Sequence, residues 1–436
     1  MKKAISITLA IMMLVVLLAG CGGNDNSNTP ASSPAAQQPA ASQQPAASQQ
    51  PAASPGAPAA SQQPAASPGA PAASPGAPAQ SGPPQLNADA AKRAEDAYAF
   101  IANLKQQASA YDKNAAKYRY TLNCQDPAES ASGEFLYAWS DAVLVATEGA
   151  VYIDIGVSNA YCAGGTMEAL NYMKDGLVDF CNTLPCYFKG YMPLCLAIQN
   201  PALGIQNATA GSCAMWEMYK SMPAVQAEFA NHGEVIFVWA NNPSPLSYKG
   251  TKTLDSISEI KGNIRGNNGP AQMFIDEVGA SVFGCPIGDV YPNVQNGVMD
   301  FLVTDWHAIA SFKLADPGVL NYYLDTNVGC SAYTVMANED VWKEIEANGY
   351  ADAIKSVSGD YCLNLVGIWE AYEARGRSDA VNNGGTVYPP SGAFATDLNN
   401  AYANVAQRWI SENGANAQAV YDKTAELVNN YNAIYK

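Results

Sequence analysis

Apolar positions along the chain recur with two periods. Ala91, Ala94, Ala97, Ile101, Leu104 and Ala108 fall at helical spacing, which predicts a helix from about Ala88 to Ser109 capped by Asn87. Tyr118 to Cys124 and Val151 to Val157 read as strands, the second alternating Val, Ile, Ile, Val. Between them Gly133 to Glu148 carries Phe135, Trp139, Ala142 and Val145 on one helical side. Thr166 to Asp175 predicts a helix closed by Gly176, and Leu177 to Cys181 a strand. Short strands follow at Val235 to Ala240, Asn263 to Gly266, Met299 to Thr304 and Tyr333 to Ala337, separated by helices. The chain ends in helices over about Val341 to Arg377, Phe394 to Ser411 and Ala415 to Tyr435, with one short strand at Gly385 to Pro389. Strands alternating with helices imply an α/β fold whose parallel or mixed sheets are covered on both faces.

The first residues follow neither period. Lys2 and Lys3 precede an apolar run from Ala4 to Leu18, shorter than the roughly 20 residues a spanning helix needs, so residues 1–20 read as an export signal. Leu18-Ala19-Gly20-Cys21 resembles the lipobox of bacterial lipoproteins. That resemblance implies cleavage before Cys21, lipid on its sulfur, and an extracytoplasmic chain anchored to the membrane; ordinary cleavage with a free Cys21 is the alternative. Residues 21–86 repeat Ser-Gln-Gln-Pro-Ala-Ala and Ser-Pro-Gly-Ala-Pro-Ala blocks with almost no large apolar side chain to bury. They predict a disordered tether reaching roughly 50 Å as a coil. A lead-in helix over 87–116 and a two-lobed domain over 117–436 follow, as expected for a folded part of this length. No later apolar stretch reaches about 18 residues.

Composition narrows the function. The formal net charge is -16, with no basic stripe to neutralise phosphates, which argues against nucleic acid. Of the 10 Cys, Cys21 is the lipidation candidate; several of the rest sit among apolar or small neighbours, as in Leu194-Cys195-Leu196. They read mostly as buried free thiols, with at most one or two bridges. With no Cys-x-x-Cys pair and only His232 and His307, a zinc site is not expected. Gly-x-Ser-x-Gly, His-Glu-x-x-His and a phosphate loop are all missing, so no enzyme chemistry and no cofactor are expected.

Four stretches then carry a family resemblance: Ser258-Glu259-Ile260-Lys261-Gly262-Asn263-Ile264-Arg265, Asp289-Val290-Tyr291 through Gln295-Asn296-Gly297-Val298-Met299-Asp300, Asn338-Glu339-Asp340-Val341-Trp342, and Trp409-Ile410-Ser411-Glu412-Asn413-Gly414. In this order and spacing they resemble the DctP family, the solute receptors of TRAP transporters, over most of residues 117–435. The resemblance implies a two-lobed, type II periplasmic-binding-protein-like fold with long C-terminal helices. It further implies a small organic carboxylate as ligand and integral-membrane TRAP permease subunits as partners. The chain departs from the pattern at Phe301, where the family has Gly, and at Thr304-Asp305-Trp306. Pro243-Ser244-Pro245-Leu246-Ser247 lacks the second Arg of sialic-acid-binding members, which argues against sialic acid.

Arg265 is the central candidate. It ends a short strand just before Gly266-Asn267-Asn268-Gly269-Pro270 opens a helix, so Arg265 and Asn267 sit at a helix start that favours anions. A planar guanidinium meets a carboxylate with two parallel hydrogen bonds, and the matching Arg in the resembled family binds the substrate carboxylate. Thr304, Asp305, Trp306 and His307 follow an apolar strand, where α/β crevices receive ligands. Asp305 reads equally as a ligand or metal contact and as a helix cap, and Trp306 equally as pocket wall and core. Tyr291, Trp239 and Thr183 complete the candidate set, with packing inward the alternative for Tyr291; His232 reads as a turn residue. An ABC-type receptor or a sensory lipoprotein are the rival readings within binding proteins, and a lipid-anchored enzyme the rival outside them.

Overall fold

The strands of the folded part, numbered along the chain, are β1 (Tyr118–Asn123), β2 (Val151–Gly156), β3 (Phe180–Thr183), β4 (Glu234–Pro243), β5 (Leu246–Tyr248), β6 (Asn263–Arg265), β7 (Ser281–Val282), β8 (Phe301–Val303), β9 (Tyr322–Leu324), β10 (Cys330–Ala337) and β11 (Thr386–Tyr388). They come from a computed structural model that describes residues 84–188, 190–266 and 269–436. The export signal, Cys21, nearly all of the tether and Asn267 lie outside the described residues.

Two mixed sheets result, each the floor of one lobe. The first has the order β2-β1-β3-β10-β4, the second β11-β9-β5-β8-β6-β7. In the first, β1 runs parallel to β2 and β3, while β10 is antiparallel to both β3 and β4. In the second, β6 and β8 are parallel and β5 is antiparallel to β8 and β9. The chain crosses from first sheet to second between β4 and β5 and returns between β9 and β10. This is the two-lobed α/β arrangement expected from the sequence.

Each lobe buries its own core. The first packs Leu122, Ile153, Phe180 and Trp239 below the helix Ala131–Ala146, with Phe237, Trp239 and Tyr333 stacked at 5.4 and 5.3 Å between ring centres. Stacked aromatics add to the area they remove from water. The second lobe packs Leu246, Ile264, Phe274 and Val303 against the helix Gly392–Glu412.

The lead-in helix Ala90–Ala108 docks on the first lobe through Ala97, Ile101 and Leu104. Its cap is Asp89, whose carboxylate accepts from the Lys92 N–H; Asn87 instead accepts from the Asp89 N–H. Arg93 on this helix pairs with Glu370 at 2.8 Å, and both side chains are buried.

Several sequence expectations need correction. The helix expected over Val341 to Arg377 is four pieces, Glu339–Ala347, Ala351–Ser356, the 3-10 turn Gly359–Leu365 and Gly367–Asn382. Gly349 and Gly359 sit between or at the starts of these pieces at φ 79° and 54°, a left-handed backbone that no α-helix continues through. The helix at Thr166 begins as a 3-10 turn, and β3 starts at Phe180 because Leu177 and Val178 belong to the turn before it. Strands β5, β7 and β9 were not expected at all; with two or three residues each, none is long enough to show an alternating pattern.

Candidate functional site

A tight cleft lies where strand ends of both sheets meet, with room for little more than one water molecule in this arrangement of the lobes. Parallel strands leave their C-terminal ends open to a crevice, which is where ligands enter α/β folds. From the first lobe come Gln125 and Asp126, just past β1, and Leu184 and Tyr187, just past β3; Ser331 and Tyr333 face in from β10. From the second come Arg265 at the end of β6, Ile287, and Thr304, Asp305 and His307 past β8, with Ala308 and Phe312.

Arg265 is only 3 % exposed. Its Nε donates to the Cys285 carbonyl at 3.3 Å, and no carboxylate among the described residues lies within ion-pair distance of it. Beside it the Tyr187 hydroxyl is raised to about 12 by burial, against the opposing pull of the Arg265 charge. Removing a cation from water without an internal counter-charge is costly. Burying the Arg265 guanidinium with no carboxylate in direct contact is therefore a cost that the fold carries at this point.

Asp305 does two things at once. Its Oδ1 caps the helix Trp306–Ser311 by accepting from the Ala308 N–H at 3.0 Å, and it also meets His307 Nδ1 at 2.5 Å. Its Oδ2 accepts from the Ser331 hydroxyl at 3.2 Å. Burial alone raises a carboxyl, but the charge and hydrogen bond of His307 and the Ala308 N–H outweigh it and hold Asp305 low. Burial likewise works to lower His307, and the Asp305 charge and hydrogen bond with the more distant Asp126 overcome it, so His307 ends raised. Its Nε2 stands 4.0 Å from Asp126 Oδ2. Asp126 itself is pushed up by burial, with the His307 charge acting against that. Among the described residues no group of three or more His, Cys, Asp or Glu is disposed to hold a metal ion.

Of the candidates read from the sequence, Arg265, Thr304 and Asp305 line this cleft together. Trp306 does not: it is fully buried in the second lobe, with the Arg377 guanidinium 4.6 Å above its ring and Tyr323 beside it. Trp239 lies in the first-lobe core, and Thr183 is buried in β3 with its hydroxyl unpartnered among the described residues. Tyr291 packs half-buried against the second lobe and is not among the residues that line the cleft. His232 sits in the turn before β4. The nine described cysteines are all free, and eight of them are buried.

Gln125, Asp126, Tyr187 and Tyr333 were not singled out beforehand, whereas His307 was named with the Thr304–Trp306 stretch at a strand end and does line the cleft. The first three follow the ends of β1 and β3, so the strand-end rule that pointed to Thr304 and Asp305 could have found them.

Comparison with known proteins adds a family match and several solved structures. The family model described as Bacterial extracellular solute-binding protein, family 7 (DctP) matches residues 123–413. A TRAP solute binding protein from a marine metagenome, specific for aromatic acid ligands and holding metahydroxyphenylacetate, is 21% identical, with a TM-score of 0.66 over 72% of this chain and 99% of that one. One from Rhodoferax ferrireducens holds copurified benzoate (20% identical, TM-score 0.65, 72% and 99% covered). One from Bordetella bronchiseptica holds (R)- and (S)-mandelate (20%, 0.64, 72% and 99%).

Proposed function

Because the chain belongs to the bacterial extracellular solute-binding proteins of family 7, a family of receptors and not of enzymes, we propose that it captures a small organic carboxylate and hands it to TRAP permease subunits in the membrane. The observation that carries this reading is Arg265, buried in the wall of an interlobe cleft with no carboxylate of its own to neutralise it. A ligand carboxylate gives the guanidinium a direct partner, and the Thr304 side chain and the Tyr187 hydroxyl stand beside it in the wall. The acids held by the similar solved structures, benzoate and mandelate among them, are of the same chemical kind.

In this reading the empty lobes part, the ligand enters, and the lobes close over it. Closure follows only if the ligand binds the closed state better than the open one. The closed form then docks on the permease. Cys21, lipidated at the end of the export signal, holds the receptor near the membrane, and the Pro/Ala/Ser/Gln tether lets the domain travel between ligand and permease. Mass spectrometry of the mature N-terminus tests the anchor: an unmodified Cys21, or cleavage elsewhere, removes it from the proposal.

The receptor reading is tested by a melting screen of residues 86–436 against carboxylates, keto acids and sugar acids. A true ligand at about 100 times its dissociation constant adds about 2.7 kcal/mol to stability. Arg265→Ala then abolishes the shift, since a buried carboxylate left unpaired costs roughly 3–5 kcal/mol. Near-native affinity in a folded Arg265→Ala chain, or no stabilising acid at all, overturns the reading.

A further inference from the structure

The other polar groups in the cleft ask for a second kind of partner. Asp126 is 1 % exposed and its Oδ2 has no hydrogen-bond donor among the described residues; Gln125, 8 % exposed, has its Oε1 in the same condition. Both residues line the same cleft as Arg265. Across from them His307 presents Nε2, also without a partner and 4.0 Å from Asp126 Oδ2. The far side of that ring is engaged by Asp305, so Nδ1 carries a proton and donates it. A carboxylate oxygen and an amide oxygen only accept, and a ligand's own carboxylate has nothing to give them. An ammonium group has three protons to give.

Charge points the same way. With His307 protonated, the two cations Arg265 and His307 balance the two carboxylates Asp126 and Asp305. A plain monoanion adds an uncompensated negative charge to a cleft whose ionic groups are all buried, which is unfavourable. With His307 neutral, the excess of negative charge is larger still. A molecule with one negative and one positive group leaves the net charge unchanged in both cases, whereas a monoanion makes it more negative by one.

We infer that the cleft takes a zwitterion, an acid bearing a protonated amine, with its carboxylate on Arg265 and its ammonium on Asp126 and Gln125. This rests on the receptor reading above and narrows it. Leu184, Ile287, Phe312 and Tyr333 complete the lining of a tight cleft, so the part of the ligand between or beside the two charges is small. The competing arrangement is an Asp126 that takes up a proton when a hydroxy acid or plain acid binds, a route that burial of its carboxyl favours.

Titration calorimetry of the full chain separates the two. The probes are two matched sets, alanine with lactate and propionate, and phenylglycine with mandelate and phenylacetate, each run in two buffers of different ionisation heat. The expected result is that the amino member of a set binds at least about tenfold tighter than its hydroxy and unsubstituted partners, with no net proton uptake. Asp126→Asn, which keeps the side-chain volume, then weakens the amino member at least about tenfold. Gln125→Leu, removing the second acceptor, weakens it in the same direction and serves if Asp126→Asn does not fold. Equal or tighter binding of the hydroxy or unsubstituted acid, with uptake of about one proton, overturns the inference while the receptor reading stands. If no probe binds and the wider acid screen also finds nothing, both fall together; if the screen finds only acids without an amine, this inference alone falls.

Discussion

Replacing Asp305 by Asn tests whether the His307–Asp305 pair is ionic. The substitution keeps the shape and the N-cap, because Asn caps as well as Asp. It removes the charge that His307 Nδ1 meets at 2.5 Å. A hydrogen bond to a charged group contributes about 1.5–3 kcal/mol, and at about 2 °C per kcal/mol for a large domain the melting point should fall by roughly 3–6 °C. The pH dependence is the sharper signature. His307 is raised in the folded chain, so its contribution is complete below the roughly 6.5 of an unfolded histidine and is lost as pH rises through the higher folded value. Asp305 is held low, so its contribution is complete above the roughly 3.9 of an unfolded aspartate and is lost as pH falls through the lower folded value. The pair therefore stabilises fully between about pH 4 and 6.5. Asp126, raised by burial, contributes a separate decline that begins as pH rises above the roughly 3.9 of an unfolded aspartate and is complete above its higher folded value. In Asp305→Asn the His307 decline disappears, and burial then lowers the imidazole instead. Scanning calorimetry from about pH 4.5 to 8.5 measures the first effect. Proton NMR measures the second with little overlap, since the chain has 2 His. Identical pH–stability curves for the two proteins, or a wild-type His307 that deprotonates below the ordinary histidine value, would refute the ionic pair.

Three further outcomes are expected. Glu370→Gln strands the buried Arg93 guanidinium and should lower stability by about 3–5 kcal/mol, whereas Arg93→Met with Glu370→Leu should recover most of it; calorimetric unfolding of the single and double variants decides, and additive losses refute the coupling. Gly367→Ala forces a Cβ into the Arg93 carbonyl and should cost about 1–3 kcal/mol, with faster hydrogen exchange along Ala90–Ala108; unchanged exchange there argues against close docking. A thiol reagent on the native folded domain should label about one cysteine, the half-buried Cys285, and label it slowly because burial raises its pKa. After unfolding without reductant all nine described thiols should react, and a shortfall would reveal a disulfide.

Long, periodic elements were legible in the sequence and short or convergent ones were not. The helices Ala131–Ala146 and Pro270–Glu277 and the strand β2 lie within a few residues of their expected limits, because side-chain period alone specifies them. Strands such as β5 and β9 exist through their pairing with β8 and with each other, a long-range fact that three residues cannot announce. The helical run after Val341 hid its breaks because Gly349 and Gly359 are tolerated in a helical pattern until packing demands a positive φ. At the site, Arg265, Thr304 and Asp305 were within reach since each follows a recognisable strand. Asp126 and His307 sit 181 positions apart in numbering and become partners only when the lobes meet. Trp239 and Trp306 drew attention for their chemistry, but a buried ring in an aromatic stack fills volume more often than it lines a pocket.

The helix Gly367–Asn382 touches both halves of the protein at points where it has no side chain. At Gly367 it lies on the backbone of Arg93 in the first lobe, and at Gly376 on the backbone of Trp306 in the second. Both contacts are too close to admit a Cβ, so this one rod is seated backbone-to-backbone on each half, and a methyl group at Gly376 should disturb its seat on the second half without touching the ligand-lining side chains.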